Sequence, residues 1–196
     1  MRNAFLIIAL LCVGFLALGK GTDGYTVLTS EGSRRTAVAK HPVVIPPILL
    51  RDRGGSFFKI NDYREGPTLV EFIYTGCQTT CVELGNAFEE ISDSLSKSMK
   101  VRLVSISIDP TDQLEDLQRY AERFNIPSHL WKVAKVKNRK DTTSLLNTFG
   151  IIAIPDGYGG YEHNAAIHIV DRSGKLISIV DHEVALLALT AMQGDQ

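Results

Sequence analysis

The chain has 196 residues, 44% of them hydrophobic, enough for one sizeable core in a single domain with some extra sequence. Its 21 basic and 22 acidic residues leave a formal charge of -1 and are mixed along the sequence. No long-range field gathers nucleic acid, which excludes that class of partner.

The first residues, MRNAFLIIALLCVGFLALGK, combine a short basic start at Arg2, an apolar run from Ala4 to Gly19 and a closing Lys20. Such a segment is a signal peptide or an N-terminal membrane anchor. The apolar run spans about 24 Å as a helix, short of the roughly 30 Å hydrocarbon core, and Ala17-Leu18-Gly19 offers a cleavage site, so both readings stand. Cys12 is a bland apolar residue here, because Leu10-Leu11 lacks the small residue that a lipoprotein signal places ahead of its cysteine. Residues 1–19 are therefore expected to direct export to a periplasmic or inter-membrane space, with anchoring to the inner membrane if the segment is retained. Thiols tend to be oxidised there. Only Cys77 and Cys81 remain in the exported part.

Residues 20–43 are polar and lack a sustained apolar period, and they read as a flexible tether of about 25 Å root-mean-square reach. Pro46-Pro47 marks entry to a domain expected over residues 44–196. Two short strands flank the Arg53-Gly54-Gly55 turn. The run PTLVEFIY is a strand covered on both faces, and Val82, Leu84, Phe88 and Ile91 follow at helical spacing. KVRLVSISID is a second strand, TDQLEDLQRYAERFN an amphipathic helix and HLWKVAKV a third strand. KDTTSLLNTFG is a helix ended by Gly150. AAIHIVD and KLISIVD form a hairpin about Ser173-Gly174, and DHEVALLALTAM is a last helix. Strands alternating with helices of this length imply an α/β fold, a central mixed sheet flanked by helices. This order, with a cysteine motif after its first long strand, resembles a thioredoxin fold.

Cys77 and Cys81 are spaced i and i+4 at the turn from strand to helix, where the helix dipole and free amides stabilise a thiolate. The spacing suits a reducible disulfide or two ligands meeting on one ion. An inert structural disulfide closing so small a loop would constrain the unfolded chain little. Redox catalysis normally uses the tighter C-x-x-C, and a peroxidase of this fold would carry Thr where Tyr74 stands. Two thiolates and one imidazole form a soft, low-coordinate set suited to Cu(I), whereas structural zinc wants four donors. Of the five histidines, His41, His129, His168 and His182 read as structural or solvent-exposed. His163 differs because it lies in the loop YGGYEHN just before a strand. In a thioredoxin fold that loop faces the cysteine helix and usually holds a cis-proline, which is missing here.

The succession VEFIYTGCQTTC, VSISIDP, QRYAERF and YEHNAAIHIVDRSGK resembles the Sco/SenC copper-binding proteins, over roughly residues 44 to 183. That resemblance implies copper ligands Cys77, Cys81 and His163, with Cu(I) as the main cargo and Cu(II) as a second state. It also implies a copper metallochaperone delivering its ion to the dinuclear copper site of cytochrome c oxidase or a related cuproprotein. The implied partner is a copper-receiving protein such as an oxidase subunit. The alternative is an enzyme, a thiol-disulfide oxidoreductase that reduces the receiving protein's cysteines, with Cys77 and Cys81 as its catalytic pair. The chain departs from the family pattern in the loop itself. Gln78 and Val82 replace the usual prolines, and Thr79-Thr80 replaces an acidic residue, which removes rigidity and negative charge.

Overall fold

The apolar runs form one mixed sheet, and the alternation of side chains along each strand decides which helices cover which face. The computed structural model describes residues 2–22, 29–95 and 100–194. Its helices and strands begin with α1 (Arg2–Gly21), α2 (Ser30–Lys40), β1 (Val43–Val44), β2 (Leu50–Asp52), β3 (Phe57–Phe58) and β4 (Thr68–Ile73). They continue with α3 (Thr80–Ser94), β5 (Arg102–Ser107), α4 (Leu114–Ala121), β6 (Trp131–Val136) and α5 (Arg139–Phe149). The chain then runs through β7 (Ala153–Pro155), β8 (Tyr161–His163), β9 (Ile167–Val170), β10 (Lys175–Val180) and α6 (Ala185–Gly194).

Eight strands lie in the order β1-β10-β9-β4-β5-β6-β2-β3. The three central strands β4, β5 and β6 run parallel, and the flanking pairs are antiparallel. All six residues of β4 are buried, as a strand covered on both faces requires. Leu69 and Ile73 pack with Leu84, Phe88, Leu117, Tyr120 and Leu189, so α3, α4 and α6 cover one face. Val70 and Phe72 pack with Val38, Leu145 and Phe149, so α2 and α5 cover the other. The expected α/β architecture, a thioredoxin-like mixed sheet between helical layers, is therefore present.

Two segments depart from expectation. Within the stretch read as a flexible tether, residues 30–40 form α2. Thr29 Oγ1 caps it by accepting the Gly32 N–H at 3.0 Å, and Glu31 in the first turn and Lys40 in the last suit the helix dipole. Only Val38 of this helix is buried, so charge rather than apolar area docks it. Arg34 and Arg35 both pair with Glu31, Arg35 grips Asp181 at 2.6 and 2.9 Å, and Arg34 donates to the Phe149 carbonyl. Gly150 ends α5 at φ +66°, and a Cβ there would sit 2.5 Å from Arg34 Cδ, which is why glycine stands at this crossing. Residues 23–28 of the same stretch lie outside the described residues. The second departure is the loop before β9, which contains an unexpected ribbon of β7 paired with β8, Ala153 opposite His163.

The N-terminal apolar run is helical as α1, with Leu10, Leu11 and Leu16 exposed. Among the described residues no helix is long and apolar enough to cross a membrane.

Candidate metal centre

β4 delivers the chain to the rim of the sheet, and residues 74–79 turn it into α3. Cys81 falls in the first turn of α3, but Cys77 precedes the helix, so the two do not share one helical face. The loop instead folds back. The Cys77 N–H donates to the Tyr74 carbonyl at 3.1 Å, and the Cys77 sulfur accepts the Cys81 N–H at 3.3 Å. A sulfur thus satisfies a free amide at the N-terminus of α3, the task usually done by a cap oxygen, while the Thr79 side chain makes no capping bond.

The missing prolines are compensated by side chains of α4 and of the turns on either side of it. Arg123 donates to the carbonyls of Cys77 (3.3 Å) and Thr75 (3.0 Å), and the Tyr120 hydroxyl donates to the Cys81 carbonyl at 2.7 Å. Asp112 accepts from the Thr75 N–H and hydroxyl at 3.1 and 2.6 Å. Tyr120 lies in α4 and Arg123 in the turn just after it, both within the stretch QRYAERF, whose amphipathic period gave only its buried face. These loop-holding residues were not among the sequence candidates.

His163 arrives from the other side, at the end of β8. Its neighbour Asn164 fixes the ribbon, donating to the Gly150 carbonyl at 2.9 Å and accepting the Ile152 N–H at 2.8 Å. His163 Nε2 lies 3.9 Å from Cys81 Sγ, and its Nδ1 is buried without a hydrogen-bond partner among the described residues. A metal bonded to sulfur at about 2.3 Å and to nitrogen at about 2.0 Å, at an angle near 120°, separates those atoms by about 3.7 Å. The observed separation fits one ion between them. Among the described residues no group of three or more His, Cys, Asp or Glu forms a preassembled metal cage. Cys77, Cys81 and His163 are neighbours, with the Cys77 sulfur still turned to the Cys81 amide.

A pocket of about 220 Å³ opens onto this point between Cys77, Thr79, Thr80 and His163, beside Tyr74 and Tyr161. The two tyrosine rings meet edge to face, 5.7 Å between centroids. Both cysteines are free.

The electrostatics divide the two sulfurs. The hydrogen bond from Cys81, together with the backbone amides of Thr79 and Cys81, outweighs burial and pulls the Cys77 thiol down to about 5. Cys81 is pushed up instead, chiefly by its hydrogen bond to Cys77 and then by burial, and holds its proton. Burial lowers His163 against the pull of the Cys77 thiolate, so its imidazole is neutral and keeps a lone pair. Alkylation of Cys77 by iodoacetamide is therefore expected to be half-maximal near pH 5. An ordinary thiol would give a midpoint near pH 8.5. Peptide mapping across a pH series measures it, and a midpoint of about 8 or above would contradict the assigned polarity.

The remaining histidines stand apart from the cysteines. His41 caps α2 and is exposed, as is His129. His182 lies in a 3-10 turn ahead of α6. His168 is buried in β9 on the opposite face of the sheet, packed against Phe72 and Phe149, and burial together with the nearby Arg34 holds it at about 3. Cys12 is exposed on α1.

The SCO1/SenC family model matches residues 38–191. The SCO1 protein homolog of Bacillus subtilis is 21% identical over 137 residues, 68% of this chain and 71% of that protein. The structure of Bradyrhizobium japonicum ScoI with copper bound superposes with a TM-score of 0.66 at 22% identity, covering 78% of this chain and 98% of that one. A structure of BsSco, a member of the Sco family of cytochrome c oxidase assembly proteins in which a disulfide switch was identified, gives 0.67 at 16% identity, covering 80% and 96%.

Proposed function

From the premise that this chain belongs to the SCO1/SenC family, we propose that it is a copper metallochaperone whose ligands are Cys77, Cys81 and His163. The observation that carries this is the 3.9 Å approach of His163 Nε2 to Cys81 Sγ, beside a Cys77 sulfur that the Cys81 thiol and the backbone amides at the start of α3 keep as thiolate. Two sulfurs and one neutral imidazole are soft donors in low number, the set Cu(I) prefers. Cu(II) is the second state in which the cargo travels.

Cys77 is ready to bind first. Cys81 gives up its proton as it joins, and His163 completes a trigonal set at the mouth of the pocket. An open side remains from which a cysteine of the receiving protein adds to the ion and draws it off by ligand exchange. The recipient is a copper site of cytochrome c oxidase or a related cuproprotein. Residues 1–19 export the chain, by cleavage or by holding it at the membrane, and residues 44–196 form the copper-binding domain with α2 docked against it.

His163→Ala tests the ligand set. Its Cu(I) affinity, measured anaerobically against a competing chelator, is expected to fall on the order of 100-fold, the upper end of what losing even a supporting partner costs. The melting temperature should hardly move, because His163 is half-buried at the end of a short ribbon. Unchanged affinity would remove His163 from the site.

A second reading draws on the opposite protonation of the two sulfurs. A nucleophilic Cys77 thiolate beside a protonated Cys81 is the arrangement a thiol-disulfide oxidoreductase needs, attack by one and resolution by the other. It is separated from the chaperone by His163→Ala, which would spare exchange activity.

A further inference from the structure

The strands β7 and β8, the second of which carries His163, form a two-stranded sheet of their own beside the main one. Such a ribbon is marginal in water by itself. The second nitrogen of a metal-binding imidazole is usually held by a hydrogen bond that orients the ring, whereas His163 Nδ1 has no such partner among the described residues. Placing the ring therefore falls to the backbone. That backbone is held at the base of the ribbon, where residues 149–152 enter and residues 163–166 leave. Asn164 ties the two sides together, donating to the Gly150 carbonyl at 2.9 Å and accepting the Ile152 N–H at 2.8 Å.

Helix α2 grips the same base from outside. On the entering side Arg34 donates to the Phe149 carbonyl, and on the leaving side Glu31 Oε2 accepts from the Asn164 side-chain amide at 3.4 Å. The Glu31 carboxylate also pairs with Arg34 at 2.5 Å and with Arg35 at 3.0 Å, and Arg35 reaches Asp181, just after β10, at 2.6 Å. One ion cluster thus joins α2, both sides of the ribbon and the main sheet. A helix of 11 residues that buries only Val38 gains little from apolar area and is marginal alone. Its docked state depends on this cluster.

We propose that α2 is a positioning element of the metal centre: Glu31 and Arg34 hold the base of the ribbon so that His163 stays within reach of Cys81. The proposal rests on the reading of His163 as a copper ligand. A ligand has to be held within about 0.5 Å of its working place, and His163 Nε2 already stands at 3.9 Å from Cys81 Sγ. Loosening the base moves the ring out of range. The coupling is reciprocal, because the factor that docked α2 adds to copper affinity is the factor that bound copper adds to docking. Copper loading thereby tightens the link between the N-terminal segment and the domain.

The first test needs no metal. Hydrogen exchange of the Ile152 amide is followed by NMR in the full-length metal-free protein and in Glu31→Ala, with the amides of β5 in the main sheet as internal reference. Exchange at Ile152 is expected to be about tenfold faster in the variant while β5 is unmoved. Equal rates at Ile152, or the same acceleration in both places, would overturn the proposal. The second test measures Cu(I) affinity against a competing chelator for the wild type, Glu31→Ala, His163→Ala and the double variant. Glu31→Ala is expected to weaken binding about tenfold, the lower end for a supporting partner, and to add nothing once His163 has been replaced. Equal losses in both backgrounds, or none in either, would also overturn it. Should His163→Ala alone leave the affinity unchanged, the ligand reading is what fails, and the exchange test still decides whether α2 holds the ribbon.

Discussion

Cys77→Ser is expected to abolish tight Cu(I) binding, by about 4 kcal/mol or on the order of a thousandfold. The substitution removes one of two soft anionic donors and leaves a neutral hydroxyl that a soft ion does not select. It also removes the thiolate that meets the α3 amide at 3.3 Å, although a serine oxygen can take over that capping bond, so the fold should survive. Cys81→Ser should lose binding to a similar extent, and Cys12→Ser should lose none, because Cys12 is exposed on α1. The pH dependence has a fixed sign. Cys77 is already ionised above about pH 5 and Cys81 is not, so each Cu(I) displaces one proton and affinity rises about tenfold per pH unit through the neutral range. Competitive titration of the three variants checks both points, and a Cys77→Ser protein that still holds Cu(I) tightly would place the ion elsewhere.

Phe72→Ala should cost about 3–5 kcal/mol of stability, the usual range for emptying a buried aromatic site. Phe72 is 1% exposed, and its ring meets Phe149 edge to face at 5.1 Å and His168 at 5.7 Å. Collapse into the space is hindered because β4 is fixed on both edges by its neighbours β5 and β9. A loss of this size takes a large share of a typical domain's 5–15 kcal/mol. The side chain points to the face opposite the cysteines, so Cu(I) affinity of the folded fraction should be unchanged at low temperature. Urea unfolding and copper titration on one preparation separate the two quantities. A loss below about 1 kcal/mol would mean that the second core layer is looser than its contacts imply.

Physical causes decide which parts of this molecule were legible in the sequence. The strands β4, β5 and β6 announce themselves because burial on both faces demands nearly unbroken apolar runs. The ribbon of β7 and β8 does not, since Ala153–Pro155 and Tyr161–His163 are short and contain no fully buried residue, and their pairing is settled by Asn164 and by a turn that Asp156 closes through the Tyr158 and Gly160 amides. For α2 the signal was present and weak: Thr29 ahead of Glu31, and Lys40 at the end, are start and stop residues around a segment with almost no apolar period. Within it Glu31, despite partial burial, is held at about 2 by hydrogen bonds from Arg34 and Arg35, and the docking of the helix depends on the contacts of those arginines with Asp181 and the Phe149 carbonyl, far along the chain, which no local pattern reveals. At the site, Cys77 and Cys81 could be read from spacing, and His163 from its place before a strand. The residues that hold their loop could not, because Asp112, Tyr120 and Arg123 reach it only once α4 has packed.

X-ray absorption at the copper edge of the Cu(I)-loaded protein tests the ligand set most directly. Two sulfur scatterers at about 2.3 Å and one nitrogen at about 2.0 Å are expected, in a three-coordinate ion. The nitrogen should vanish in His163→Ala. An ion coordinated by nitrogen and oxygen alone, or one whose shell does not change when His163 is replaced, would contradict the assignment of Cys77, Cys81 and His163 as the copper ligands.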